Sequence, residues 1–296
     1  MGFSKYHPPL LLIPLSLLLL LLPNLAISAD FTTLIYKGCS GQPLPDSYQP
    51  VLTSLFDSLI TQSSSAHFYK TTTGGGGGGI FGLFQCRGDL SAADCSNCVG
   101  QIPKTADRLC GRAAAARIQL TGCYGLYAAG GPPGVSGTSM LFKTCSSNQA
   151  VGSGFEVRRD TAFSNVQGGL AGGGGFYVTT YESVYAMGQC EGDLSVSDCG
   201  ECVSAAVQKA EVECGSAIAG QVFLDKCYFS YSYYPNGVPR GGDGGGGFGD
   251  DGGGGSHGSG QTGKTVAIVV GGAAALGFLV ICLLFIRSLW KKRDDY

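Results

Sequence analysis

Apolar residues are concentrated in two runs near the ends of the chain, and the first run has the pattern of a secretory signal. Residues 10–22 are mostly leucine and follow the basic Lys5. Small residues at positions 26–29 suit cleavage, so residues 1–29 are predicted to be a removed signal peptide. A first membrane anchor is the alternative, and it is less favoured because the run is short for a bilayer span.

The second apolar run predicts a membrane-spanning helix at residues 264–286. Thr265 to Ile286 is free of charged residues and long enough to cross a hydrocarbon core at about 1.5 Å per residue. Basic residues follow it at Arg287, Lys291, Lys292 and Arg293. By the positive-inside rule, residues 30–264 should lie outside the cell and residues 287–296 should form a cytosolic tail. A tail of this length has no room for a catalytic domain.

Between the two runs, the hydrophobic pattern predicts an α+β fold. Helical spacing at Tyr48–Ile60 places one apolar face on a helix, made of Leu52, Leu55, Phe56, Leu59 and Ile60. A serine followed by an aspartate three residues later predicts a capped helix start at Ser91 and again at Ser195. Apolar-rich segments predict strands at Phe31–Tyr36, Ile80–Gln85, Arg117–Tyr127 and Gln221–Tyr234. We therefore expect disulfide-rich modules, each with two helices packed on an antiparallel sheet.

The cysteines show that the module occurs twice in tandem. Cys86, Cys95, Cys98, Cys110 and Cys123 recur with identical spacing as Cys190, Cys199, Cys202, Cys214 and Cys227. Cys39 and Cys145 complete two sets of six, and the thirteenth cysteine, Cys282, lies in the predicted span. The predicted modules are residues 30–133 and 134–239, followed by a Gly-rich stalk at 240–263. Two short glycine runs, at 74–79 and 172–175, are interpreted as matching surface loops.

In a secreted chain, six cysteines at repeated spacing predict disulfides, although spacing alone leaves 15 possible pairings in each module. The pairs Cys95/Cys98 and Cys199/Cys202 could also hold a metal. A zinc site would need further thiolate or imidazole ligands, and neither module supplies a second such pair. No metal or other cofactor is expected.

The segment Gln85-Cys86-Arg87-Gly88-Asp89-Leu90-Ser91, followed by Cys95 and Cys98, resembles the signature of the ginkbilobin-type salt-stress and antifungal domain. Residues 189–195 match it again. Two such domains, a signal peptide, one span and a very short tail resemble the plasmodesmata-located protein family. The resemblance implies the disulfides Cys39–Cys110, Cys86–Cys95, Cys98–Cys123, Cys145–Cys214, Cys190–Cys199 and Cys202–Cys227.

Arg117 is the one candidate ligand-binding residue. The mannose-binding member of the domain family uses an Asn, an Arg and a Glu, and the matching positions here are Ser40, Arg117 and Ala128. The second module has Ser146, Gln221 and Ser232 there. Sugar binding in that mode is not expected, and an exposed strand residue is the favoured interpretation of Arg117. A cell-wall polysaccharide could stack on the strand tyrosines, but these rings are expected mainly to fill sheet faces and the contact between modules.

Two motifs are discounted. Residues 258–265 satisfy the phosphate-loop pattern, but they lie between a glycine stalk and a span, so neither nucleotide nor nucleic-acid binding is expected. Arg87-Gly88-Asp89 spells an adhesion tripeptide, yet the second module has Glu191 at the arginine position, so the arginine is interpreted as incidental. Paired catalytic groups do not recur between the modules, and we expect no enzymatic activity.

The predicted span contains small residues that suit lateral association. Gly271 with Ala275, and Ala273 with Gly277, are spaced to allow close helix approach and self-association or contact with other membrane proteins. Cys282 could be acylated, although apolar filler is the favoured interpretation.

The leading hypothesis is a non-enzymatic type I membrane protein of the plasma membrane at plasmodesmata. The family resemblance implies control of cell-to-cell movement through callose deposition, with links to defence and to viral movement proteins. The alternative hypothesis is a cell-surface lectin or an apoplastic ligand co-receptor.

Overall fold

The computed structural model describes residues 30–75, 79–134 and 137–238. The predicted signal peptide, stalk, span and tail, and with them Gly271, Ala273, Ala275, Gly277 and Cys282, lie outside the described residues. Among the residues that are described, no helix combines the length and the apolar character needed to cross a membrane.

The described residues confirm the α+β prediction for both modules. Module one runs in chain order as β1 (Leu34–Cys39), α1 (Gln49–Ser63), β2 (Phe68–Thr73), β3 (Ile80–Cys86), α2 (Ala92–Cys110), β4 (Ala115–Leu120) and β5 (Cys123–Ala129). Module two repeats this order as β6 (Met140–Cys145), α3 (Phe155–Leu170), β7 (Phe176–Tyr181), β8 (Val184–Cys190), α4 (Val196–Cys214), β9 (Ala219–Leu224) and β10 (Cys227–Tyr233). Their antiparallel sheets have the equivalent strand orders β1-β4-β5-β3-β2 and β6-β9-β10-β8-β7.

The second helix of each module begins where the sequence predicts. Ser91 accepts a hydrogen bond from the Asp94 backbone amide at 3.1 Å, and Ser195 accepts one from Asp198 at the same distance. These caps satisfy amides that have no partner inside the helix, which fixes the helix start locally. Each of these helices carries disulfide cysteines on its buried side, at positions 95 and 98 in module one and at 199, 202 and 214 in module two.

The helices cover one face of each sheet and form the core there. In module one, Leu55, Phe84 and Ile118 are almost fully buried between the layers. In module two, Phe163 and Phe229 take a similar place, with their rings edge to face at 4.6 Å. Each buried large side chain contributes about 1.5–3 kcal/mol by leaving water.

The described cysteines are joined in the pairs that the family resemblance implies. The bonds are Cys39–Cys110, Cys86–Cys95, Cys98–Cys123, Cys145–Cys214, Cys190–Cys199 and Cys202–Cys227. The bond between Cys86 and Cys95 ties the end of β3 to the start of α2. This bond thus holds the signature segment against the start of α2.

The prediction of one long strand at the end of each module was wrong. Arg117–Tyr127 is a hairpin of β4 and β5, and Gln221–Tyr234 is a hairpin of β9 and β10. In the first hairpin, Gly122 lies in the turn, and a Cβ there would come within 2.6 Å of the Phe31 side chain. This close approach joins residues far apart in the chain, so the apolar pattern alone did not reveal the turn.

The remaining strand predictions were incomplete. The first strand begins at Leu34 rather than at Phe31, and β2, β6, β7 and β8 were not predicted. The two glycine runs are not equivalent, because residues 74–79 connect β2 to β3 whereas residues 172–175 lie between α3 and β7. In module two the β7–β8 turn is made by Glu182 and Ser183, both with positive φ.

Candidate functional site: the contact between the modules

The sheet faces opposite the helices carry polar side chains that bind the other module. The Gln189 side chain donates to the Cys86 carbonyl at 2.8 Å and accepts from the Gly88 amide at 3.2 Å. The equivalent Gln85 accepts from the Gly192 amide at 2.9 Å. Both glutamines are buried. The two copies of the signature segment thus exchange hydrogen bonds in an approximately two-fold symmetric arrangement. We call this region the module contact.

Glycine is required at two equivalent positions of the module contact. A Cβ on Gly88 would lie 2.5 Å from the Phe176 ring, and a Cβ on Gly192 would lie 2.7 Å from Phe68. Both distances are far shorter than a normal carbon–carbon contact. The Gly-Asp pair of each signature segment therefore allows the partner module's aromatic ring to approach the backbone, in addition to its predicted role in a turn.

Arg117 lies in the module contact and is not the exposed strand residue that the sequence favoured. Its guanidinium is 4.0 Å from the centre of the Tyr124 ring, and it donates to the Tyr36 hydroxyl at 3.1 Å. It also donates to the backbone carbonyl of Asp225 in module two at 3.1 Å. Arg117 is half-buried because β4 lies between two strands and its outer face meets module two.

A buried carboxylate joins Tyr124 of module one to Lys226 of module two. Glu191 is 5% exposed, accepts a hydrogen bond from the Tyr124 hydroxyl and pairs with the Lys226 ammonium at 2.9 Å. Burial raises the pKa of the Tyr124 phenol well above its ordinary value, and the nearby Glu191 charge adds to this effect. Tyr124 therefore stays protonated and remains a donor at physiological pH.

Asp193 extends this network to the surface. It pairs with Lys226 at 3.2 Å and, across the modules, with Lys70 at 2.7 Å. Burial acts to raise the pKa of Asp193, but hydrogen bonds from the Lys70 and Lys226 ammonium groups outweigh it, and the pKa falls below its ordinary value. The two carboxylates and two ammonium groups balance in charge, which offsets the cost of burying Glu191.

The arginine of the adhesion tripeptide is an interior residue. Arg87 is 8% exposed and forms two hydrogen bonds with the Asp89 carboxylate, at 3.0 and 2.5 Å. Its guanidinium also lies 5.7 Å from the centre of the Phe31 ring. The tripeptide is therefore folded onto itself and is not displayed as an adhesion motif, although its arginine is more than incidental to the fold.

The strand tyrosines fill the sheets and the module contact, as the sequence indicated. Tyr127 and Tyr231 are buried and donate to the carbonyls of Ala113 and Ala217 at 3.0 and 2.9 Å. Aromatic rings also meet across the modules, since Tyr36 stacks on Phe142 at 5.2 Å.

The described residues contain no group of three or more His, Cys, Asp or Glu side chains arranged to hold a metal ion. His67, which the sequence left without a role, has its Nε2 atom 2.8 Å from the Leu90 carbonyl. The sequence also gave no role to Gln85, Gln189, Glu191 and Lys226. The identical glutamine before the first cysteine of both signature segments was the signal that could have indicated the module contact.

Comparison with known proteins places both modules in one domain family. The model of the salt stress response/antifungal family matches residues 38–129 and 144–234. Plasmodesmata-located protein 2 of Arabidopsis thaliana is 54% identical over 292 residues, which cover 94% of this chain and 95% of the relative. Plasmodesmata-located protein 1 of the same plant is 44% identical, covering 93% of this chain and 94% of the relative.

Solved structures show the same tandem arrangement. The tandem DUF26 ectodomain of the Arabidopsis thaliana cysteine-rich receptor-like protein PDLP8 is 33% identical, with a TM-score of 0.63, covering 68% of this chain and 98% of that one. The PDLP5 ectodomain is 30% identical, with a TM-score of 0.61, covering 68% of this chain and all of that one. With two matched domains, a shared tandem fold and identity along nearly the whole chain, this protein belongs to the plasmodesmata-located protein family.

Proposed function

We propose that this protein is a receptor-like membrane protein of plasmodesmata, the channels that join plant cells. The observation that carries the proposal is the 54% identity to a plasmodesmata-located protein over 94% of this chain. In this proposal residues 264–286 span the plasma membrane, the two modules face the cell wall and residues 287–296 lie in the cytosol. The basic residues after the predicted span support this orientation.

The proposed mechanism is recruitment without catalysis. The inner sheet faces are occupied by the module contact, and the buried Glu191 carboxylate is neutralised there by the half-buried Lys226. The outer helical faces remain for contacts with cell-wall material or partner proteins. Through such contacts the protein would regulate plasmodesmal permeability, including callose deposition, defence responses and the passage of viral movement proteins.

Localisation and permeability can be tested together in leaf tissue. A fluorescent fusion of the full chain should form wall-spanning puncta that coincide with stained callose, and raising its expression should reduce the spread of a free fluorescent protein between cells. An even distribution over the plasma membrane would contradict the proposed location. Puncta with unchanged spread would contradict the proposed control of permeability.

We also propose that Gly271, Ala273, Ala275 and Gly277 mediate lateral association of the span. The double variant Gly271→Leu with Ala275→Leu should reduce cross-linking of full-length chains in membranes, whereas the conservative change Leu276→Ile should not. Unchanged cross-linking in the leucine variant would contradict this association face.

The alternative, a lectin or ligand co-receptor that uses Arg117, has less structural support. The Arg117 guanidinium is already bonded to Tyr36 and Asp225, so a sugar would have to replace contacts between modules. Saturable binding of a glycan by residues 30–238, lost in Arg117→Lys while the fold is retained, would favour the lectin over the recruitment proposal.

A further inference from the structure

Module two holds an arginine inside the cleft between its two helices. Arg159 on α3 is 8% exposed and donates to the Gly215 carbonyl, at the end of α4, at 2.6 Å. Its guanidinium carbon lies 5.8 Å from the ring centres of both Phe155 and Phe163, and the group pairs with the neighbouring Asp160 at 2.7 Å. An aromatic wall, a helix C-terminus and a carboxylate together make this cleft a guanidinium site.

Module one has the same framework around its equivalent cleft. Phe56 meets Tyr127 edge to face at 5.6 Å, just as Phe163 meets Tyr231 at 5.0 Å. Gly111 ends α2 with nearly the backbone conformation with which Gly215 ends α4, with φ values of 56° and 52°.

The arginine itself is missing from module one. Arg159 lies four residues before Phe163, and Leu52 lies four residues before the equivalent Phe56. A leucine cannot reach the helix end as an arginine does, and it leaves Phe56 only half-buried, whereas Phe163 is 1% exposed. Leucine in place of arginine therefore leaves open a cleft that module two fills by itself, and Thr53 stands where module two has Asp160.

The cleft in module one is a groove of about 180 Å³, which we call the helix groove. Since a single water needs only about 10–15 Å³ of such space, the groove has room for the seven heavy atoms of an arginine side chain. Its lining includes Leu52, Phe56, Asp107, Gly111, Arg112 and Tyr127. The groove thus keeps the helix end and the counterpart of one of the two phenylalanine rings that surround Arg159, and Tyr127 adds a second ring.

Charge in the helix groove favours a cation. The exposed Asp107 carboxylate lies at the rim of the groove. Burial is the main cause that raises the pKa of the Tyr127 phenol, and the charge of Asp107 raises it further, so this charge acts on the aromatic wall. Arg112 also lines the groove, but its guanidinium is paired with Asp46. The C-terminus of α2 adds partial negative charge at the same end, where Lys37 already donates to the Leu109 carbonyl at 2.6 Å.

We propose that the helix groove binds an arginine side chain of a protein partner, in the place that Arg159 occupies in module two. Binding at the helix groove does not depend on where in the cell the protein acts, so it is independent of the proposed location at plasmodesmata. The outer helical face of module one then becomes a docking surface for a basic segment of a partner, with one arginine inserted between α1 and α2.

Binding can be measured with short capped peptides, Gly-Arg-Gly, Gly-Lys-Gly and Gly-norleucine-Gly, titrated into residues 30–238. This part is suitable because the chain covers 98 and 100% of the solved tandem ectodomains. Phe56 and Tyr127 resonances should shift saturably with the arginine peptide, and the lysine and norleucine peptides should bind at least about tenfold more weakly, since they lack a planar guanidinium. No saturable shift with the arginine peptide, or equal binding of norleucine, would overturn the proposal.

Two variants locate the site. Leu52→Arg should fill the groove from within and weaken the arginine peptide at least about tenfold, while the volume-conserving Leu52→Met should leave binding unchanged. Arg159→Ala opens the corresponding cleft in module two and should add a second binding equivalent. If Arg159→Ala binds the peptide while the unaltered protein does not, or if Leu52→Arg folds normally and binds undiminished, the helix groove is not the site.

Discussion

Replacing Arg117 with methionine should weaken the module contact while leaving each module's core intact. The change keeps most of the side-chain length but removes the hydrogen bonds to Tyr36 and Asp225 and the stacking on Tyr124. A hydrogen bond to a charged group is worth about 1.5–3 kcal/mol, and a cation over an aromatic ring about 0.5–2 kcal/mol. Because burying the guanidinium itself costs solvation, we expect a net loss of about 2 kcal/mol in the free energy of unfolding.

Urea unfolding of residues 30–238, followed by far-ultraviolet circular dichroism with the disulfides intact, measures this loss. Arg112→Met is the matched control, because Arg112 pairs with Asp46 at the surface, where the two side chains are 64 and 80% exposed. An exposed pair of this kind contributes less than about 1 kcal/mol. Arg117→Lys should fall between the two, since it keeps the charge and loses the planar stack.

The location of the effect can be read from amide hydrogen exchange. In Arg117→Met, the amides of Gly88 and Gly192, which donate across the modules, should exchange faster than in the unaltered protein. Amides inside α2 should change less. Equal stability of the Arg117→Met and Arg112→Met variants, with unchanged exchange at both glycines, would refute the assigned role of Arg117.

Three further predictions concern close packing, acid stability and disulfide access. Gly88→Ala should destabilise the ectodomain by about 1–3 kcal/mol because its Cβ meets a facing phenylalanine ring at 2.5 Å, whereas Gly100→Ala, with open space, should stabilise it by about 0.5–1 kcal/mol in thermal unfolding. Because the pKa of Asp193 in the folded protein lies below its ordinary value of 3.8, the ionised carboxylate stabilises the fold above pH 3.8, and this stability is lost as the pH falls through the lowered pKa. The Asp193→Asn variant should therefore lose less stability on acidification. An acid profile identical to that of the unaltered protein would contradict this. Because Cys39 is exposed, Cys39–Cys110 should be the first disulfide of module one to be reduced. Differential alkylation with mass spectrometry measures the order of reduction. Earlier reduction of a buried disulfide would show that exposure does not set this order.

Features that depend on neighbouring residues were predictable from the sequence. The helix starts at Ser91 and Ser195 were predicted from a serine and an aspartate three residues apart. The tandem modules were predicted from the cysteine spacing. The α+β fold class followed from apolar patterns and was confirmed in both modules. The disulfide pairing, by contrast, came from the family resemblance, because spacing alone leaves it open.

Strand boundaries were harder because distant contacts decide them. The hairpin between β4 and β5 turns where Gly122 meets Phe31, and a run of apolar residues gives no sign of that meeting. The edge strands β2 and β7 were missed for a related reason. They become strands by pairing with β3 and β8, whose own apolar pattern is much stronger.

The sequence by itself determined the tandem repeat, the fold class and the predicted places of signal and span, because each rests on composition or on contacts within a few residues. The tertiary structure alone decided what Arg117 does and why the glutamine and glycine of each signature segment are there. Arg117 and the Asp225 carbonyl are 108 residues apart in the chain, and Tyr124 and Glu191 are 67 apart. Only packing one sheet face on the other brings such groups together, and burial then makes each unpaired polar group costly enough to require its partner.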